Sequence, residues 1–439
     1  MPDKKRINLD AQSSRDENEP RAFPHAKIPG EILSRIAFWA YKGQGVETLL
    51  RLGSPNRAWR TACEPLLFRD LVCSDVSEVV GAAKVLAQPA GNEADSPLRK
   101  KGSILRHVEH LQLILETAFP TNPNRPTLLG AMATVCSECT WLTSLRVQAR
   151  SGAVIQPFDA LFPGGGSARK ALASLSHLKL LVLDNIALWL HELTVLMLGW
   201  PELQALAVSC LRGDCVRSSS TSTDVLPCRL RNLRVEQSTL TNEMTAHLLR
   251  DQSNLRFLSL PVQGLTGRTL AELEKVMPNL TTLDVRDSWA SSKLRARSKT
   301  PKKNDDKVAE MDKDDLEQDE VTLPLTSLFR LLKSTACPDT VHLNRTLAPS
   351  DFFEEKGISQ LTACMVEVEN LSLDDFPPTS SIYGALAAAL KADDLPFLKS
   401  IIVTSSTSAT SSAKKTTQSK GLKALEAVAK ARGVTVNSS

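Results

Sequence analysis

Aliphatic residues recur along this chain in one figure, Leu-x-x-Leu-x-Leu, with Val or Ile standing in for some of the leucines. It occurs at Val108-Leu111-Leu113, Leu142-Leu145-Val147, Leu178-Leu181-Leu183, Leu203-Leu206-Val208 and Leu230-Leu233-Val235. It recurs at Leu255-Leu258-Leu260, Leu280-Leu283-Val285, Val368-Leu371-Leu373 and Leu398-Ile401-Val403, with Val341-Leu343 and Val434-Val436 as shorter copies. From Leu178 the copies step by 25, 27, 25 and 25 residues. One copy means little in a leucine-rich chain, but five in phase define a structural repeat. The last two aliphatic positions of each copy are two apart, which puts both on one face of a strand.

Between the copies the spacing turns helical. Leu240, Met244 and Leu248 are four apart, and Leu270, Leu273 and Met277 follow i, i+3, i+7. Ile358, Leu361 and Met365, then Ile382, Leu386 and Leu390, continue the pattern. Thr269 and Glu272 have the spacing of a capping box. Pro201, Pro278 and Pro396 stand just before strands and are read as helix stops, since proline lacks the N–H that a helix interior needs.

Strand then helix, repeated, predicts an α/β fold: a curved parallel sheet with helices on its outer side, each unit burying its leucines against its neighbours. Strand residues between the inward aliphatics then face the concave groove. These are Val182, Asp184, Arg234, Glu236, Phe257, Ser259, Asp284, Arg286, Asn370 and Asp374, the candidate surface for a protein partner. Early positions are apolar (Val182, Ala205, Ala207) and later ones charged, which suits a partner with an apolar patch beside mixed charges.

The chain has 439 residues, too many for one ordinary core, and only 5% aromatics within 42% hydrophobic residues, a balance suited to many small packing layers. Its 53 basic and 49 acidic side chains leave a net charge of +4, without the concentrated basic excess that nucleic-acid binding needs. Residues 1–25 are polar and aperiodic and are expected to be a disordered tail with no secretory leader. Nine cysteines, an odd and scattered set, suit a reducing, intracellular setting, cytoplasmic and/or nuclear. The most apolar stretch, Leu175 to Val208, is broken by Lys179, Asp184, His191, Glu192 and Pro201, so no membrane span is expected. Two interruptions of the repeat region stand out: a charged insertion at 290–320, basic then acidic and expected to stay solvated, and a Ser/Thr-rich loop at 404–419.

Candidate chemistry is sparse. Cys136 and Cys139 form a C-x-x-C pair, but a structural zinc site wants four ligands and no second pair matches, so both are read as core on a helix from Leu128 through Met132 and Val135. Cys210, Cys215 and Cys228 are read the same way, and His107 and His110 as edge residues. Gly164-Gly165-Gly166-Ser167 with Arg169 and Lys170 lacks the order of a phosphate-binding loop and is read as a turn. Lys4-Lys5-Arg6 and the basic cluster at 293–303 are read as solvated charge, with nuclear import or phosphate contact as the alternative. A protein with no catalytic site, metal or cofactor is expected.

Before the repeats, Ile28-Pro29-Gly30-Glu31-Ile32-Leu33-Ser34-Arg35-Ile36 opens a helix with an apolar face. Lys42-Gly43-Gln44-Gly45 lengthens the loop after it, a second helix spans Val46 to about Leu52, and Ala62 to Phe68 holds a third. The order aliphatic-Pro-x-Glu-Ile, a leucine-rich helix, Arg57-x-Trp59 and Pro65-Leu66-Leu67-Phe68 resembles the F-box. The repeats from about residue 104 resemble leucine-rich repeat proteins of the ribonuclease-inhibitor-like type. The Asn or Cys that this family keeps beyond the strand is replaced by Ile186, Leu211, Ser238, Gln263 and Ser288. Together the two resemblances imply a small all-α module at 26–73 followed by a leucine-rich repeat solenoid at 74–439, as in fungal-type F-box receptors. They imply a substrate-recognition subunit that docks on the adaptor of a cullin-RING ubiquitin ligase, and through it a cullin, while the repeats hold a protein substrate. By that resemblance Ile28, Pro29, Ile32, Ile36, Leu50, Leu52 and Pro55 would face the adaptor. The rival expectation is an adaptor-independent interaction scaffold whose first helices only cap the repeats.

Overall fold

The computed structural model describes residues 28–53, 57–87, 107–115, 125–149, 155–212, 226–236, 238, 240, 242–261, 267–286, 331–333, 338–344, 362–374, 380–404 and 412–438. The expected tail at 1–25 and the insertion at 290–320 lie outside them. Two compact units divide the chain, Met1–Arg69 and Asp70–Ser439.

The first unit holds three helices, α1 (Gly30–Gln44), α2 (Val46–Gly53) and α3 (Arg57–Leu67). Pro29 caps α1, its carbonyl accepting the Ile32 and Leu33 amides at 3.0 and 3.2 Å. The segment Lys42–Gln44 belongs to α1 rather than to a long loop, and the chain turns at Gly45 alone, whose φ of +76° is a conformation that suits glycine. Leu33, Ala37, Leu49, Trp59, Ala62 and Cys63 form a closed core, with Ile28, Tyr41, Leu52, Leu66 and Leu67 packed around it.

The second unit is built on a parallel sheet of twelve strands in sequence order, skipping the small second sheet: β1 (Asp70–Cys73), β2 (His110–Leu115), β3 (Ser144–Ala149), β5 (Leu180–Asp184), β7 (Ala205–Ser209), β9 (Asn232–Glu236), β10 (Phe257–Pro261), β11 (Thr282–Arg286), β12 (Thr340–Asn344), β13 (Asn370–Asp374), β14 (Ser400–Val403) and β15 (Thr435–Ser438). The register is continuous. Leu71, Leu111, Leu145, Leu181, Leu206, Leu233, Leu258, Leu283, Val341, Leu371, Ile401 and Val436 are successive partners across it. A second row of inward side chains runs beside them from Cys73 to Val403, and nearly every member of both rows is buried. This is a mixed α/β fold with a long parallel sheet, of leucine-rich-repeat-like type.

The two compact units divide between Arg69 and Asp70, and Asp70–Cys73 is the first strand of the sheet, with Leu71 and Cys73 in register with Leu111 and Leu113. Cys in place of an aliphatic conceals that copy.

Helices cover the inward side. In α10 (Gly267–Val276) Leu273 and Val276 are buried and Leu270 packs partly against the core; in α11 (Ser380–Ala392) Ile382, Leu386 and Leu390 are buried. Leu240 is buried too, but precedes its helix, α9 (Asn242–Leu249). Two helices end ahead of the next strand on an aspartate in the left-handed region, Asp251 (φ 59°) and Asp393 (φ 66°), so Pro396 follows a helix end already made. The last helix, α12 (Ser412–Ala431), takes in half of the segment expected as a Ser/Thr-rich loop. Alanine, lysine and glutamine interspersed there favour a helix more than its Ser/Thr content disfavours one.

A small second sheet was absent from the sequence reading: β4 (Gln156–Pro157), β6 (Ile186–Trp189) and β8 (Leu211–Arg212). The chain enters two of these strands through Asn185 (φ 56°) and Cys210 (φ 71°), left-handed residues directly after β5 and β7. Side chains tie the backbone of neighbouring rungs together beside these turns. Asn185 Nδ2 donates to the Ala149 carbonyl of the preceding rung at 3.2 Å. The Leu211 amide donates to Ser238 Oγ at 2.9 Å, and Ser238 Oγ donates to the Glu236 carbonyl at 2.6 Å.

Candidate binding surfaces

Alternation along each strand sends every second side chain to the side of the sheet opposite the core. On β3, β5, β7 and β9 these outward residues line a shallow trough of about 250 Å³ formed by Arg146, Gln148, Val182, Asp184, Ala207, Ser209, Arg234 and Glu236. Arg146, Val182, Ala207 and Arg234 are successive cross-strand partners. Strands stand about 4.8 Å apart, so the two guanidinium stems are separated by about 14 Å of apolar floor.

The polar groups of the trough are largely engaged with each other. Arg234 donates to Glu236 Oε1 through Nε at 2.7 Å and lies 2.6 Å from it through Nη2. Gln148 Nε2 donates to Asp184 Oδ2 at 3.0 Å. Ser209 Oγ, with one proton to give, lies 3.2 Å from the Leu183 carbonyl and 3.3 Å from Asp184 Oδ1, and it accepts the Asn185 amide at 2.6 Å. Arg146 is exposed and forms no ion pair with a described residue.

Of the residues expected on the groove, Val182, Asp184, Arg234 and Glu236 come together in this trough. Phe257 is half-buried on the next strand. Ser259 and Asp284 are corrected: both are buried, Asp284 with 2% of its surface exposed, and Ser259 Oγ donates to Asp284 Oδ2 at 3.1 Å, so they brace each other rather than face a partner. Asn370 is a cross-strand clip, its Nδ2 donating to Thr340 Oγ1 at 3.3 Å and its Oδ1 accepting Ser400 Oγ at 2.6 Å. Arg286 and Asp374 end β11 and β13 in register with Pro261 and Asn344, and their side chains lie outside the described set. Ala207, read with Val182 as an apolar groove position, lines the trough as well, whereas Arg146, Gln148 and Ser209 were missed as site residues. The same alternation applied to Leu145-Val147 and Leu206-Val208 points to all three.

In the first unit the helices carry a second candidate surface. Ile32 (43% exposed), Ile36 (42%) and Trp39 (66%) are spaced i, i+4, i+7 along one stripe of α1, beside the adjoining face that buries Leu33 and Ala37. Val46 and Leu50 (58%) repeat the arrangement on α2. Pro29 is exposed, Ile28 and Leu52 are half-buried against the core, and Pro55 lies outside the described residues.

The other motifs have structural duties. Burial pushes the thiols of Cys136 and Cys139 up to about 12, so neither supplies a thiolate at neutral pH. Arg169, beside the glycine turn, is committed to Asp159 and Glu192 at 3.1 and 3.0 Å, and spans the helices α6 (Phe158–Leu161), α7 (Ser167–Ala173) and α8 (Leu190–Met197). His110 stands 3.9 Å from Asp70 of the adjacent strand. Among the described residues no helix is long and apolar enough to cross a membrane, and no cluster of metal-binding side chains occurs.

No family model matches the chain, and no curated protein matches it. Solved structures that match include the crystal structure of a TLR13–ssRNA13 complex, at 16% identity and a TM-score of 0.27, with 68% of this chain and 42% of that chain covered. The chain therefore spans less than half the length of that structure's chain.

Proposed function

We propose that the protein is the substrate-recognition subunit of a cullin-RING ubiquitin ligase, with the helical unit docking on the adaptor and the repeat sheet holding a protein substrate. The observation that carries this reading is the apolar stripe of α1 and α2. Ile32, Ile36, Trp39, Val46 and Leu50 are exposed on a three-helix unit whose own core is already closed by Leu33, Ala37, Leu49, Trp59, Ala62 and Cys63. These five contribute nothing to that core, and exposed apolar side chains repeated at helical spacing on so small a unit mark a contact surface. The order of motifs that resembles the F-box makes the ligase adaptor the partner of first choice. Such a receptor needs no active site; it raises the concentration of substrate near the ubiquitin-loading enzyme.

The test is co-purification with the adaptor. Burying an isoleucine side chain is worth about 1.5–3 kcal/mol, so Ile32→Glu with Ile36→Glu should weaken capture by at least about a hundredfold. Undiminished capture by the double variant, with its helical circular dichroism intact, would refute the docking reading and favour an interaction scaffold.

A further inference from the structure

We propose that the trough on β3, β5, β7 and β9 binds a short acidic segment of a partner protein, seating a small aliphatic side chain on Val182 and Ala207 and pairing a neighbouring carboxylate with Arg146. This deepens the substrate-receptor reading and rests only on its claim that the repeat sheet captures a protein.

The charge of the ligand follows from which groups are spoken for. Arg234 is forked onto Glu236. Asp184 takes Gln148 and has Ser209 beside it. Arg146 is the cation on this surface that no described residue pairs. A basic ligand would have to strip neutral donors from Asp184 or break the Arg234–Glu236 pair, while standing next to an exposed guanidinium. A carboxylate meets Arg146 without breaking any of these contacts, and the planar guanidinium binds it through two parallel hydrogen bonds.

The size of the aliphatic group follows from β7. Its outward residues are Ala205, Ala207 and Ser209, flanked by Leu180, Val182 and Asp184 on one side and Asn232, Arg234 and Glu236 on the other. Small side chains between larger ones make the depression, and an Ala or Val methyl fills it. The volume of about 250 Å³ lies below the roughly 300–1,000 Å³ of small-molecule pockets, so a segment of chain fits better than a free metabolite.

The spacing follows from the register. Ala207 is two strands from Arg146, about 10 Å. An extended chain crossing the strands advances about 3.3 Å per residue, which places the acidic residue two to three positions from the aliphatic one.

The experiment measures fluorescence anisotropy of labelled ten-residue peptides against the full chain. One set carries Asp or Glu one to four positions from Ala or Val in a Gly/Ser background; matched sets replace the acid by Asn or Gln, or by Lys. Binding is expected to be tightest at spacings of two and three. The amide set should bind at least tenfold more weakly, Arg146→Gln should reproduce that loss on the acidic set, and Arg146→Lys should recover part of it. Raising salt from 50 to 500 mM should weaken the acidic set alone. Ala207→Leu, which fills the floor and leaves Arg146 in place, should also reduce binding. The proposal is overturned if no set binds, if the amide or lysine set binds as tightly as the acidic one, or if Arg146→Gln and Ala207→Leu both bind within twofold of the parent. Adaptor capture is read separately: Arg146→Gln should retain it, and Ile32→Glu with Ile36→Glu should retain peptide binding, so each reading can fail alone.

Discussion

At Gly199 a methyl group would stand 2.2 Å from the carbonyl oxygen of Ala173, closer than any side chain tolerates. The backbone conformation there is ordinary; it is the approach of the preceding repeat that demands glycine. The next residue, Trp200, is fully buried and donates its indole N–H to the Leu172 carbonyl at 2.9 Å, so the end of α7 cannot simply swing away. Overfilling a packed contact of this kind costs about 1–3 kcal/mol. Gly199→Ala is expected to lower the thermal midpoint by several degrees, whereas Gly384→Ala, where a methyl meets nothing within 4 Å, should raise or leave it unchanged because alanine favours the helix. A melt in which the two variants behave alike would contradict this account. The sequence shows Leu198-Gly199-Trp200-Pro201 as a helix end before a strand, but the distance to Ala173 is a property of the stack. Side-chain alternation is legible along a strand; the gap between neighbouring turns is not.

Strands and helices are where the sequence was most readable, and where its silences are instructive. A strand with two inward aliphatics announces itself, which is why the ladder from Leu111 to Val436 was visible rung by rung. The polar clasps that close the turns carry no such signature. Gln252, almost wholly buried, accepts the Leu230 amide at 2.8 Å and lies 3.3 Å from the Cys228 carbonyl through Nε2. One side chain thus serves both backbone groups that lead into β9. Its glutamine is an unremarkable residue in a turn after a helix, and nothing in the local pattern says it reaches back to the previous rung. Gln252→Leu keeps the bulk and removes both partners. Each buried group left unpaired costs about 1–3 kcal/mol, so the variant should lose about 2–6 kcal/mol in urea denaturation. If its denaturation midpoint matches that of the parent, water replaces the glutamine and the clasp is dispensable. Ser238 and Asn185 likewise reach back to the backbone at Leu211 and Ala149.

At the scale of the molecule, stability in a stacked sheet is close to a sum of nearest-neighbour terms. What matters about an insertion is then whether the strands on either side still meet. They do across the charged segment at 290–320: Thr282 pairs with Thr340, Leu283 with Val341, Asp284 with His342 and Val285 with Leu343, in the register kept by every other pair. Leu331 and Leu332 are buried before the second of these strands, so the connection is fastened to the core on its far side. Removing 290–320 therefore leaves both anchor points in place and shortens the connection between them. Closure entropy varies as about (3/2)RT ln n, so cutting the connection from residue 287 to 330 by more than half stabilises the fold by about 1 kcal/mol. The deletion variant should melt cooperatively and no lower than the parent. It should also bind the acidic peptides through Arg146 unchanged, because that trough lies on β3 to β9, before β10 and β11 of the same sheet. A variant that melts well below the parent, or in two steps, would show that the inserted residues pack against the rungs they separate.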